Sequence, residues 1–280
     1  MTIRHGFGDL FSIGADDGSS FDPSLAASPP MLATSSTLTG HVGNTAEQMA
    51  LYLTEPGNSN AISVSDLNQG QLGDCFLISA IGEIARVDPS FISGMIKQNA
   101  NGSETVTLNE AKNGALAWFG TTQYRTVAET VVNNFSSLSV DNGSTQDVVG
   151  GVKEIWPQVL ESAYAQLNGG LAAIANGGYP VVAMETLTGQ TANYYSPASV
   201  SLSTLQGWVS ANDMIVLDTR ASGNATFNLV GSHAYMFEGL VTQKGVTYVQ
   251  AGNPWGFDQP SLIPVSQLNS AFGEIDVGKV

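Results

Sequence analysis

Residues 69–80 read QGQLGDCFLISA and hold the chain's single cysteine, Cys75. Beyond it Leu77, Ile78, Ile81, Ile84 and Ala85 recur at helical spacing, so a loop containing Gly70 and Gly73 passes into an amphipathic helix at Cys75. Unpaired backbone N–H groups at a helix start carry partial positive charge and favour thiolate over thiol. Cys75 is a candidate nucleophile on position alone, although a lone cysteine is also a common small buried hydrophobe. Asp74 reads as the N-cap, because a carboxylate beside a thiolate would oppose its ionisation.

A thiolate nucleophile needs a base, and the base needs an orienting group. Of three histidines, His5 and His41 fall in the polar first 45 residues, and His233 opens the apolar run of GSHAYMF, read as a strand. The next apolar run, VTYVQAGNPWG, ends on Asn253, Pro254 and Trp255. His233 stands 158 positions after Cys75, and Asn253 another 20 on. Cysteine, histidine and asparagine thus follow the order of papain-like proteases at roughly their separation of about 130 to 150.

Four blocks, QGQLGDC with its apolar helix, WPQVLESAYAQLNGG, SHAYMF and NPWG, agree in order and spacing. Together they resemble the protease core of the calpain family over about residues 55–257. The resemblance implies an α+β, papain-like two-lobe core: a helical lobe with the nucleophile, an antiparallel β lobe with histidine and asparagine, and a cleft between. It implies a cysteine endopeptidase acting on a polypeptide substrate, with Cys75, His233 and Asn253 as triad. Gln69 matches the glutamine that forms the oxyanion hole with the cysteine N–H, a role suited to an amide donor. Asp66 and Glu161 match a calcium site, which would need 6 to 8 oxygens in all.

Two positions depart from the family. Phe76 replaces the usual tryptophan and should still pack as an aromatic. Gln259 stands where animal calpains begin an acidic loop serving a second calcium site, so that site is not expected. The expectation is a core whose calcium dependence is weak or absent. Other readings of the same residues are acyl transfer or glutamine deamidation, or a binding or toxin-like module that kept the fold. Intact Cys75, His233, Asn253 and Gln69 favour turnover.

Composition narrows the partners. Only 12% of residues are charged, with 24 Asp and Glu against 9 Lys and Arg, giving a net charge of −15. Nucleic acid is disfavoured, since phosphate binding relies on clustered basic residues. One cysteine forms no intrachain disulfide and leaves the compartment open: cytoplasmic, or exported by a route without a typical signal peptide. Residues 1–30 lack an apolar signal core, and no stretch has the apolar length of a membrane span. Nothing in the sequence speaks to oligomeric state.

In chain order, residues 1–45 read as a flexible arm or leader, 46–197 as the helical lobe and 198–280 as the β lobe. Thr45–Tyr52 reads as a short helix, and Asp88-Pro89 opens a helix expected to run through Lys97. Strands are expected within 104–132, and a polar loop over 133–149. Helices are expected over Val152–Gly170, Pro180–Thr188 and Leu202–Ser210. Strands follow over 214–219, 232–240, 246–251 and 262–264.

Overall fold

The computed structural model describes residues 48–54, 57, 59–111, 124–132, 135, 140, 148, 149 and 152–280. The expected arm, with His5 and His41, lies outside the described residues, as does most of the loop expected over 133–149. The chain opens with β1 (Gln48–Ala50) and a 3-10 turn over Val64–Asp66 before α1 (Cys75–Val87). After α2 (Pro89–Met95) come β2 (Ile96–Gln98), β3 (Glu104–Ala111) and β4 (Tyr124–Val131), then β5 (Val148–Val149) and β6 (Val152–Glu154). Three helices follow: α3 (Trp156–Leu167), α4 (Leu171–Ile174) and α5 (Pro180–Thr188). The remainder is β7 (Asn193–Tyr195), α6 (Leu202–Ser210), β8 (Met214–Asp218), β9 (Ala234–Gln243), β10 (Val246–Gly252), β11 (Ile263–Pro264), α7 (Leu268–Ala271) and β12 (Glu274–Gly278).

Six strands form one antiparallel sheet in the order β11-β10-β9-β8-β12-β7. α1 lies across its centre, with Leu77, Ile78, Ile81 and Ile84 fully buried. Strand alternation divides the sheet's side chains between two cores. Met214, Val216 and Ala234 join the core of α1, whereas Ile215, Leu217, Tyr235, Ile275 and Val277 join one on the opposite face. This is the α+β arrangement of a helical part against an antiparallel sheet that the resemblance implied.

Two contacts fasten α1 to the sheet. Gly82 has no Cβ, and one built there would lie 2.2 Å from Met236 Sδ, so glycine lets the Met236 side chain of β9 lie directly against the helix. One turn from Gly82's neighbourhood, β8 and β9 stop pairing beyond Val216 and Met236, leaving backbone donors unmatched. Glu83 fills that gap: its fully buried carboxylate accepts from Ile215 N–H at 2.9 Å and Phe237 N–H at 2.8 Å. Arg86 closes the arrangement with a salt bridge to Glu83 at 2.6 Å, its guanidinium 5.7 Å from the Phe237 ring. Burial pushes the Glu83 carboxyl up, and Arg86 with the two N–H donors pulls it back.

Most element positions agree with the sequence reading, and the exceptions have local causes. α5 matches to the residue and ends on left-handed Gly189 at φ 71°. Asp88 caps α2 through Ser90 and Phe91 N–H, but the helix ends at Met95 because Ile96–Gln98 pairs with β3. The helix expected over Thr45–Tyr52 is instead a strand where described, since Gln48–Ala50 pairs in parallel with Val152–Glu154. The same pairing delays α3 to Trp156, with Pro157 in its first turn. β7 and β12, not expected from the sequence, complete the sheet's far edge. Among the described residues no helix is long and apolar enough to cross a membrane.

Candidate active site

The N-terminus of α1 points to the row where β8 and β9 are held in register by Asp218 and Ala234. Ser79 donates its hydroxyl to the Ala234 carbonyl at 3.0 Å, one turn past Cys75. Backbone hydrogen bonds from Ala234 and Phe76 reach the Cys75 sulfur. Ala234 directly follows His233, so the start of α1 and the strand that follows His233 meet here. The loop before Cys75 is tied to the asparagine loop as well. Gln69 N–H donates to the Pro254 carbonyl at 2.7 Å, and left-handed Gly256 packs against Asn68 so closely that any Cβ would collide.

His233 is buried, and three side chains hold its ring. Its Nε2 lies 2.9 Å from Asn253 Oδ1. Trp255 covers it with ring centroids 4.6 Å apart, and Tyr235 meets it edge-on at 4.8 Å. The backbone is held by Thr219, whose hydroxyl accepts from His233 N–H at 3.0 Å and whose own N–H donates to the His233 carbonyl at 3.0 Å.

Asn253 can face His233 in only one way. Its Nδ2 donates to the Asp258 carbonyl at 3.2 Å, and its Oδ1 also accepts from Trp255 N–H at 3.1 Å. The oxygen therefore faces the imidazole, and Nε2 must be the ring's N–H donor. Nδ1 is left as the basic nitrogen. Gln259, read from the sequence only as a missing acidic residue, holds the asparagine backbone: Asn253 N–H donates to Gln259 Oε1 at 2.8 Å.

The protonation states differ from what a helix start alone suggests. Burial pushes the Cys75 thiol up to about 12, and the carboxylates of Asp218 and Asp74 raise it further against the two backbone donors. The positive end of α1 is outweighed by desolvation and by two nearby negative charges. Burial likewise holds His233 at about 4, although its bond to Asn253 works the other way. The resting site pairs a neutral thiol with a neutral imidazole.

Asp74 occupies the N-cap position but makes no side-chain capping bond. Its buried carboxyl lies instead against Glu161 and Gln69, and burial lifts it to about 7 despite those contacts. Glu161 also accepts from Val140 N–H at 2.8 Å. The Gln69 amide donates to the Leu72 carbonyl at 2.6 Å. Asp66 closes the preceding turn, accepting from Ser63 N–H and Ser63 O–H at 2.6 Å each and from the Trp156 indole at 3.1 Å. Phe76 packs as an aromatic, onto Gly178 and edge-to-face with Tyr164 at 6.2 Å.

These shifts give stability a definite pH dependence. His233, with its value lowered from 6.5, costs stability only as pH falls below 6.5. Asp74 and Glu274, both raised to about 7, contribute stability at acid pH that is lost as pH rises through the folded value. Between pH 6.5 and about 8 only the carboxyls act, so melting temperature should fall with rising pH. A shallower slope in Asp74→Asn, measured by differential scanning calorimetry, checks the assignment.

Glu83 and Thr219 were not legible as parts of this site. A glutamate within an apolar helix face was the only sequence signal for the first, and the second had none. Comparison with known proteins agrees with the geometry. The profile of the calpain family cysteine protease matches residues 52–260. Human calpain-9 is 25% identical over 209 residues, covering 69% of this chain and 28% of its own length. Mouse calpain-8 is 28% identical over 206 residues, covering 69% and 28%, and the mouse calpain-1 catalytic subunit 27% over 206, covering 69% and 27%. The chain thus spans less than a third of these relatives' length. With three quarters of its residues inside the family match, the chain belongs to the calpain family of cysteine proteases.

Proposed function

We propose that the chain is a cysteine endopeptidase that hydrolyses peptide bonds through Cys75, His233 and Asn253. The observation that carries this is the 2.9 Å contact between His233 Nε2 and Asn253 Oδ1, with the asparagine amide oriented by Asp258. It leaves Nδ1 basic, on the residue that directly precedes Ala234, whose backbone reaches the Cys75 sulfur. Because thiol and imidazole are both neutral at rest, the proton passes from sulfur to Nδ1 as sulfur attacks the carbonyl carbon. Collapse of the tetrahedral adduct breaks the C–N bond, and the imidazolium gives its proton to the leaving amine. Water, deprotonated by the same nitrogen, then releases the acid. Asn253 and Trp255 keep the ring in its tautomer and away from solvent.

Gln69 is the proposed oxyanion donor together with the Cys75 N–H. Its amide now donates to the Leu72 carbonyl, so substrate must take over that bond. Gln69→Ala should lower kcat by about a hundredfold or more with little change in KM, measured on a quenched fluorescent peptide. The overall proposal is tested by incubating the chain with a peptide library and identifying products by mass. New termini at defined bonds support proteolysis. A gain of about one mass unit without cleavage would indicate deamidation, and either that or unchanged peptides would overturn it.

Calcium at Asp66 and Glu161 is a separate matter, because oxygens of both side chains are engaged by the protein's own donors. Both Asp66 oxygens already accept from N–H or O–H donors, and Glu161 is shared between Val140 N–H and Asp74. No step above passes through a metal. Labelling of Cys75 by an epoxide thiol probe should agree within about twofold in calcium and in chelator, and a tenfold loss in chelator would show that the site rearranges around the ion.

A further inference from the structure

A cluster that the mechanism does not use lies on the α1-facing side of the sheet, beside the nucleophile. Glu274 stands opposite Asp218 in the β8–β12 register, and Asp276 opposite Tyr194 in the β12–β7 register. Ile275 and Val277 face the other core, so strand alternation turns Glu274 and Asp276 toward α1, as it does Asp218 after Met214 and Val216. Farther along this face Gly278 is packed by Met184 and Met214. The acidic end is the end at Ala234 and Cys75. Oxygens of Asp218, Glu274 and Asp276 all lie within 4.8 Å of one another.

Two further observations show that this group wants a cation. Asp276 is fully buried and aimed at the two half-buried carboxyls on the rim, yet among the described residues neither of its oxygens accepts from a backbone N–H or from any side chain outside the cluster. Burial raises all three, the charges of Asp218 and Glu274 raise Asp276 further, and the hydrogen bonds that Asp276 gives its two neighbours offset their rise only in part; among the described residues no Lys, Arg or His lowers any of them. A buried carboxyl group without donor or counter-ion is costly unless something outside the chain supplies one. Position says what does. Asp218 is close enough for its charge to act on the Cys75 sulfur, and Tyr194 lies near enough to Glu274 and Asp276 to feel both. Carboxylates with a neighbouring phenol ring suit an organic cation, which pairs with the acids and lies against the ring. A hydrated divalent ion would need about six oxygens and gain nothing from the ring.

We propose that Asp218, Glu274 and Asp276 form a specificity pocket for the basic side chain, arginine or lysine, of a substrate residue flanking the scissile bond. The proposal rests on the endopeptidase reading for its substrate, and its test is made without turnover. Full-length Cys75→Ala chain is titrated with fluorescent peptides that differ only in carrying Arg, Lys or Leu at one position. Arg and Lys peptides should bind at least about tenfold more tightly than the Leu peptide, a ratio that Glu274→Gln and Asp276→Asn each reduce severalfold. Equal affinities, or a basic preference untouched by both substitutions, would overturn the pocket. So would tight binding of calcium alone, lost in both variants, with no preference among peptides. Failure of proteolysis would be seen separately, as intact peptides with the unsubstituted enzyme.

Discussion

Replacing His233 by alanine should lower kcat/KM for peptide hydrolysis by at least about a thousandfold per folded molecule. The expectation follows from the neutral resting pair. A thiol held at about 12 has almost no thiolate at neutral pH, so attack depends on a base that takes the proton during the reaction. Cys75→Ala should match that loss, and the double variant should be no worse than either alone, because the two act as one unit. Asn253→Ala should cost less, since Trp255 and Tyr235 still hold the ring while its tautomer is freed. A His233→Ala enzyme retaining a tenth of its activity would place the base elsewhere.

Glu83→Ala should be the most damaging substitution for folding. The fully buried carboxylate serves Ile215 N–H, Phe237 N–H and Arg86 at once. Its removal leaves two buried backbone donors and a partly buried guanidinium without their acceptor, at a cost of about 3–5 kcal/mol. For a chain of this size that is a drop of roughly 10 °C in melting temperature. Activity per folded molecule should fall too, because Glu83 fixes α1 against the strand that follows His233. Glu83→Gln keeps one acceptor and should lose less than Glu83→Ala; equal stability of all three proteins by calorimetry would refute the role.

What the sequence made legible were features written in residue types at fixed spacing. Cys75 before an apolar helix, His233 before a strand and Asn253 before Pro254 and Trp255 each carry such a local signature. The same holds for α5, bounded by Pro180 and Gly189, and for α6 after its Ser201 cap. Tertiary pairing was less visible. Gln48–Ala50 becomes a strand only because Val152–Glu154 lies beside it, about a hundred residues on. β12 carries two acids in five residues and reads as polar, yet its place between β8 and β7 buries both faces. Asp74 reads as an ordinary cap because nothing in the sequence reveals that Glu161 and Gln69 close around it. The thiol shift was misread for the same reason: a helix start is local information, and burial and neighbouring carboxylates are not.

The central claim is that folding turns a half-buried thiol into a nucleophile that His233 switches on. It is tested most directly by intact-mass measurement of labelling with a peptidyl epoxide at neutral pH, in the native chain, in urea, and in His233→Ala. Cys75 is the only cysteine, so one adduct reports one residue. The account predicts native labelling at least about tenfold faster than in urea, and slower than the unfolded rate in His233→Ala. Native labelling slower than in urea, with His233→Ala no different from the unsubstituted chain, would mean that Cys75 is a packed hydrophobe and not a catalyst.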